Sequence, residues 1–179
     1  RRDEAMTLAR SAFAKAGWLY EAKVLEGNVL TALATDGWWA GRWEEALAQA
    51  NAASAAFAQA IRVGESDPLV YGGVCTLWAR AFRHSVWNLG EASEDLFSRA
   101  ESACRQGLQA DPEQVELLCE LADVLGDRAE YLFTRGQDAE EPLTASLGIL
   151  QQVLQVDPSN PRAAILLAGT YWLKGKIEM

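Results

Sequence analysis

Apolar residues recur at every third or fourth position along nearly the whole chain, with polar residues between them. That spacing is the mark of amphipathic helices. Breaks in the rhythm predict a first helix at about 2–16 and helix pairs at about 19–37 with 42–63, 69–89 with 92–110, and 113–135 with 140–156. A last helix is predicted at about 160–174. No linker or low-complexity segment divides the chain, so residues 1–179 read as a single helical-repeat domain.

Two kinds of punctuation repeat along it. Asp67-Pro68, Asp111-Pro112 and Asp157-Pro158 follow one another at spacings of 44 and 46 residues. Asp is a good helix N-cap, and Pro suits the first helical position, whose N–H has no helical partner. Gln114 after Asp111 gives a capping-box pattern, and Asn160-Pro161 repeats the start signal just after Asp157. Between these pairs an aromatic stands three residues before a glycine: Trp38 before Gly41, Trp87 before Gly90, Phe133 before Gly136 and Trp172 before Gly175. Glycine is expected just past a helix end. The unit is therefore helix, Gly turn, helix, Asp-Pro, and a fixed period of this size signals a helical solenoid.

These residues resemble the tetratricopeptide repeats. "GRWEEAL" at 41–47 is similar to the start of that family's second helix. "VLQVDPSNPRAAILLAGTYWLKG" at 153–175 places Pro158 after a second helix and Leu167, Ala168, Tyr171 and Gly175 along a first helix. "LQADP" at 108–112 and "ELADVL" at 120–125 fit less fully. The resemblance implies an all-α, right-handed α-α superhelix of about three and a half repeats. The period departs from the family's ~34 residues, and the extra length, about three helical turns, is assigned to longer helices. HEAT-type repeats, whose period is ~40–47 residues, are the structural alternative.

In that family partner peptides lie on the concave face lined by first helices. Counting back from the turn glycines, the resemblance puts Trp38, Trp87, Phe133 and Trp172 there, with Trp39, Asn88, Thr134 and Leu173 beside them. Thr35, His84, Glu130 and Gly169 lie further back along the same face, followed by Thr31, Arg80, Gly126 and Ile165. Trp43 reads as packing between paired helices. The competing reading of the aromatics is core between stacked repeats, because large rings are mostly buried. Trp38 and Trp39 are adjacent on one helix, so one of them should be exposed. Arg80 and His84 share a helix face and form, with Arg83, the densest basic patch, either a clamp for an acidic or phosphorylated segment or a patch paired with Glu91, Glu94 or Asp95. Glu44-Glu45, Glu91/Glu94/Asp95 and Asp138/Glu140/Glu141 stand at helix starts, where carboxylates suit the helix dipole. Glu113, Glu116, Glu120, Asp123 and Asp127 follow helical spacing and form either a solvated face or an acidic stripe of the groove.

Charge narrows the partner. The net charge of −9 and pI near 4.7 make nucleic acid and anionic membrane poor partners. An odd count of three cysteines, each in an apolar helical pattern, points to buried reduced thiols and a cytoplasmic protein. With one histidine, no Cys-x-x-Cys, no phosphate-binding loop and no nucleophile elbow, no metal, cofactor or catalytic group is expected. The expected function is a non-catalytic protein-binding scaffold that takes a peptide or helix on its concave face. Two alternatives stand beside it. "YEAKVLEG" and the long repeats are similar to arrays downstream of bacterial serine/threonine kinase domains, which implies a docking region of a signalling protein. A chain that begins in helical rhythm and ends on an unpaired helix also reads as a fragment of a larger protein, able to form a weak homodimer through that last helix.

Overall fold

The computed structural model describes residues 1–90 and 93–179. Among them are eight helices and no strand: α1 (Arg2–Lys15), α2 (Tyr20–Trp39), α3 (Trp43–Ile61), α4 (Pro68–Leu89), α5 (Glu94–Ala110), α6 (Val115–Thr134), α7 (Glu140–Val156) and α8 (Pro161–Ile177). The predicted elements are all present. Glu91, one of the expected partners of the basic patch, and the predicted start of the fifth helix at 92 lie outside the described residues.

Each helix packs on its neighbours in sequence, and α2, α4, α6 and α8 also meet one another in order. Among the described residues α3, α5 and α7 make no such contacts with each other. An array joined along its even helices and splayed along α3, α5 and α7 curves around the even ones. The chain is thus an all-α helical-repeat solenoid with α2, α4, α6 and α8 on the inside.

Local chemistry explains the turns. At the end of α2, Gly41 takes φ +71°. Its N–H reaches Trp38 O and the Arg42 N–H reaches Gly37 O. The end of α6 repeats this with Gly136 at φ +66°, bonded to Phe133 O, and Gln137 bonded to Leu132 O. These are Schellman turns, which use carbonyls the helix leaves unpaired, and only glycine enters the left-handed region freely. Gly90 ends α4 at φ +71°. Gly175 departs from expectation: α8 runs through it to Ile177, and the Glu178 N–H still bonds Lys174 O. Glycine permits a turn without forcing one.

The Asp-Pro pairs also divide. Asp67 caps α4, its carboxylate accepting the Leu69 N–H at 2.9 Å, with Pro68 in the first turn. Asp111 and Asp157 instead close α5 and α7 and tie the turns that follow, accepting the Glu113 N–H at 3.1 Å and the Ser159 N–H at 3.2 Å. The N-cap of α6 is Gln114, so the capping box at Asp111 does not form. At α8 the cap is Asn160, whose side-chain oxygen accepts the Ala163 N–H at 2.9 Å. The acidic pairs do sit in the first turns of α3, α5 and α7.

Small residues let paired helices approach closely. Ala46, Ala50, Ala53 and Ala60 on α3 are wholly buried, and a Cβ on Gly37 of α2 would stand 2.9 Å from the Ala46 Cβ. Phe57 of α3 pushes its ring edge into the seam where α2 carries Gly27 and α4 carries Gly73. Fully burying such a ring contributes roughly 1.5–3 kcal/mol.

One expectation is corrected here. Cys75 of α4 and Cys104 of α5 are joined in a disulfide across 29 residues, and only Cys119 is a free, buried thiol. An odd count leaves one thiol over but does not prevent two others from pairing when packing brings their Cα atoms to 5.0 Å. Among the described residues no helix is long and apolar enough to cross a membrane.

Candidate functional site

The inner helices are stitched together by polar side chains one repeat apart. Arg80 of α4 reaches Thr35 Oγ1 of α2 at 3.5 Å, a long contact. Arg83 of α4 spans Asp123 at 2.8 Å and Asp127 at 2.7 Å on α6. Arg162 of α8 bonds Glu120 of α6 and lies 3.7 Å from Asp123. The acidic series on α6 divides: Glu113 and Glu116 stay exposed, and Asp123 and Asp127 line a groove between α6 and α8. Its members Glu120, Asp123 and Asp127 meet guanidinium groups from the helices on both sides.

Electrostatics in this cluster are unbalanced. Three carboxylates (Glu120, Asp123, Asp127) share two guanidinium groups (Arg83, Arg162), and Glu130 acts on Asp127 from nearby. Burial pushes the Asp127 carboxyl up to about 7, and Asp123 and Glu130 add to that push against the pull of Arg83. Desolvation works against the Arg83 charge, but Asp127 and Asp123 outweigh it and hold the guanidinium protonated. Glu130 has no ion-pair partner among the described residues.

Beside this cluster runs a groove between α6 and α8, of about 310 Å³. Ile165, Trp172 and Leu173 form its apolar wall, Asp123, Asp127 and Glu130 its acidic wall. Gly169 leaves its floor open, since a Cβ there would meet nothing within 4 Å, while Gly126 lies against the Ser146 and Thr170 hydroxyls. Ile165 is 73% and Trp172 59% exposed. The Lys176 ammonium stands 3.4 Å over the Trp172 ring centroid, a cation–π contact.

The remaining aromatic residues scatter between core and surface. Trp38 is not a groove rung: it is 4% exposed, packed in the core against Trp43 and stacked on His84 at 5.5 Å. Three residues before Gly41, its side chain points into the core, and its Nε1 finds no partner among the described residues. Its neighbour Trp39 is 73% exposed and meets the His84 ring edge-on at 4.7 Å. Trp87 is half-exposed. Phe133 is half-buried, against the cluster of Ala129, Leu143 and Leu173.

The basic patch does not form as expected. His84 is buried between Trp38 and Trp39, with the Asn88 amide against its Nδ1. Burial, with Arg83 nearby, holds its pKa below the ordinary value, so it is neutral at pH 7. Arg83 turns away toward α6, which leaves Arg80 as the exposed basic group, with Asn88 exposed one turn beyond His84. The clamp of Arg80 with a charged His84 is thus absent, and so is the pairing of Arg83 with Glu94 or Asp95. Glu94 instead pairs with Arg128, and Asp95 with Arg99 at 2.9 Å.

Of the expected groove positions, Gly126, Glu130, Ile165, Gly169, Trp172 and Leu173 do come together on one groove. Asp123 and Asp127, from the series expected as a solvated face or an acidic stripe, line the same groove, and Arg162, which was not expected there, borders it. The signal for them is the repeat itself, since Arg83 and Asp127 lie 44 residues apart and Glu120 and Arg162 lie 42 apart. Among the described residues no group of His, Cys, Asp and Glu has a metal-binding arrangement. No protein-family model matches the chain, and no curated protein matches it.

Proposed function

We propose that the chain is a non-catalytic protein-binding module of tetratricopeptide type that takes a partner segment on its inner, concave face. The observation that carries this reading is the α6–α8 groove. It gathers two large exposed apolar side chains, Ile165 and Trp172, with unbalanced carboxylates on a rigid two-helix frame. Exposed apolar side chains beside polar ones are the usual composition of an interface centre. Exposed Trp39 and Trp87 further along the inner helices extend the same character. The net charge of −9 argues against nucleic acid and anionic membrane as the partner. The cytoplasmic expectation rested on three reduced thiols, and the Cys75–Cys104 bond removes that support, since disulfides persist in oxidising compartments.

A displayed library of random peptides, selected on the immobilised chain, tests the reading. Selected peptides should lose binding to a Trp39→Ser/Ile165→Ser chain and keep it to a Val156→Ser chain, whose substitution lies at the exposed end of α7. Selection of nothing above background, or peptides indifferent to the inner-face substitutions, would sink it.

A further inference from the structure

Both walls of the α6–α8 groove are helices whose backbone groups are already used. An occupant finds no free edge to pair with, which removes strand addition and favours a helix, whose backbone is satisfied internally. The open floor at Gly169 leaves room for side chains to enter. The titratable side chains that line the groove, Asp123, Asp127 and Glu130, are all acidic; Arg83 pairs with the first two, and Glu130 has no ion-pair partner among the described residues. The exposed ring of Trp172 already accepts an ammonium, that of Lys176. A second copy of this chain is a poor occupant, since each copy carries a charge of −9 and would bring acidic surface to acidic surface.

We infer that the α6–α8 groove docks a lysine- or arginine-bearing amphipathic helix of a partner protein. Its apolar side would lie on Ile165 and Trp172, and its cations would reach Glu130. This rests on the protein-binding reading above and specifies its partner chemistry, which is opposite in sign to a clamp for acidic segments.

The test uses two labelled peptides of about 18 residues, or five helical turns. Both carry leucine on one face, one with lysine and the other with glutamate on the remaining positions. Fluorescence anisotropy against the full chain should show binding of the lysine peptide only, weakening as salt rises. Ile165→Ser should weaken it about tenfold, and Glu130→Gln about threefold. Val156→Ser should change nothing. Ile165 is exposed and Glu130 half-buried, and far-UV circular dichroism should confirm that both variants keep their helices. Failure of the lysine peptide to bind, equal binding by Ile165→Ser, or preference for the glutamate peptide overturns the inference. If library-selected peptides still need the inner face while the lysine peptide fails, only this inference falls; if neither binds, the module reading falls with it. A dimer in sedimentation velocity that Ile165→Ser dissolves would make a second copy the occupant and would equally overturn it.

Discussion

The seam around Phe57 allows a sharp calculation. Gly73 lies inside α4, where alanine would favour the helix by about 1 kcal/mol. A Cβ there would stand 2.5 Å from Cε1 and 2.7 Å from Cζ of Phe57. Carbon atoms prefer about 3.5–4.0 Å, so the ring must retreat by about an ångström. Phe57 has no exposed surface and its edge already meets Gly27 of α2, so retreat displaces the alanine-lined core behind it. Overpacking of this kind costs about 1–3 kcal/mol, and the tight fit argues for the upper end. Gly73→Ala should therefore destabilise the fold by a net of about 2 kcal/mol, with packing outweighing propensity. Shortening the obstacle should reverse the sign: in a Phe57→Leu background, Gly73→Ala should stabilise by up to about 1 kcal/mol. Urea unfolding followed by circular dichroism on the four members of this cycle gives the coupling directly. A Gly73→Ala chain as stable as wild type, or equal effects in both backgrounds, would refute the reasoning.

Three further outcomes follow from the same structure. Iodide should quench part of the tryptophan emission, and Trp39→Phe should reduce that part while Trp38→Phe leaves it unchanged, because the two rings are 73% and 4% exposed. Unfolded without reductant, the chain should present one thiol to a chromogenic reagent, that of Cys119, and three after reduction. Losing the bond should lower stability by about 3.5 kcal/mol for a loop of 29 residues; three thiols before reduction would contradict the pairing. Asp127, raised in the folded chain to about 7 from an ordinary 3.8, binds more proton folded than unfolded in that window. Its contribution to stability is therefore lost as pH rises toward and through 7. Asp127→Asn should flatten that decline in urea midpoints measured between pH 4 and pH 8, and an unchanged pH profile would contradict the assignment.

Much of the site was legible through the period. Inter-repeat hydrogen bonds join residues 42 to 47 positions apart: Tyr20 with Asp67, Arg80 with Thr35, Arg83 with Asp127, Arg135 with Gly90 O, Arg162 with Glu120. Equivalent positions of successive inner helices face each other, so a repeat of 44 to 46 residues pairs them by construction. What the period could not rank was Arg80 against Arg83. They lie three apart on one helix, and only the rotation of α4 against α6 aims Arg83 at the carboxylates. Similarly, Trp38 and Trp39 were separable into one exposed and one buried ring, but which was which depended on the turn. Trp38 holds the position whose carbonyl closes onto Gly41, and that position faces the core.

Helix identity, helix order and the repeat are local properties. Amphipathic spacing, caps and turn glycines act within a few residues, so the amino-acid sequence alone determined eight helices, a solenoid and the face to be searched. Gly175 marks the limit, because a glycine only permits a turn and the neighbouring hydrogen bonds decide whether one forms. The tertiary structure alone decided matters that rest on distance between remote residues. It joined Cys75 to Cys104, buried His84 between two tryptophans, and crowded three carboxylates around two guanidinium groups. Each of these turns on an ångström or two of helix approach and a fraction of a turn of rotation. Such quantities are set by the summed packing of small residues such as Gly27, Gly73 and Ala46 rather than by any local stretch of the chain.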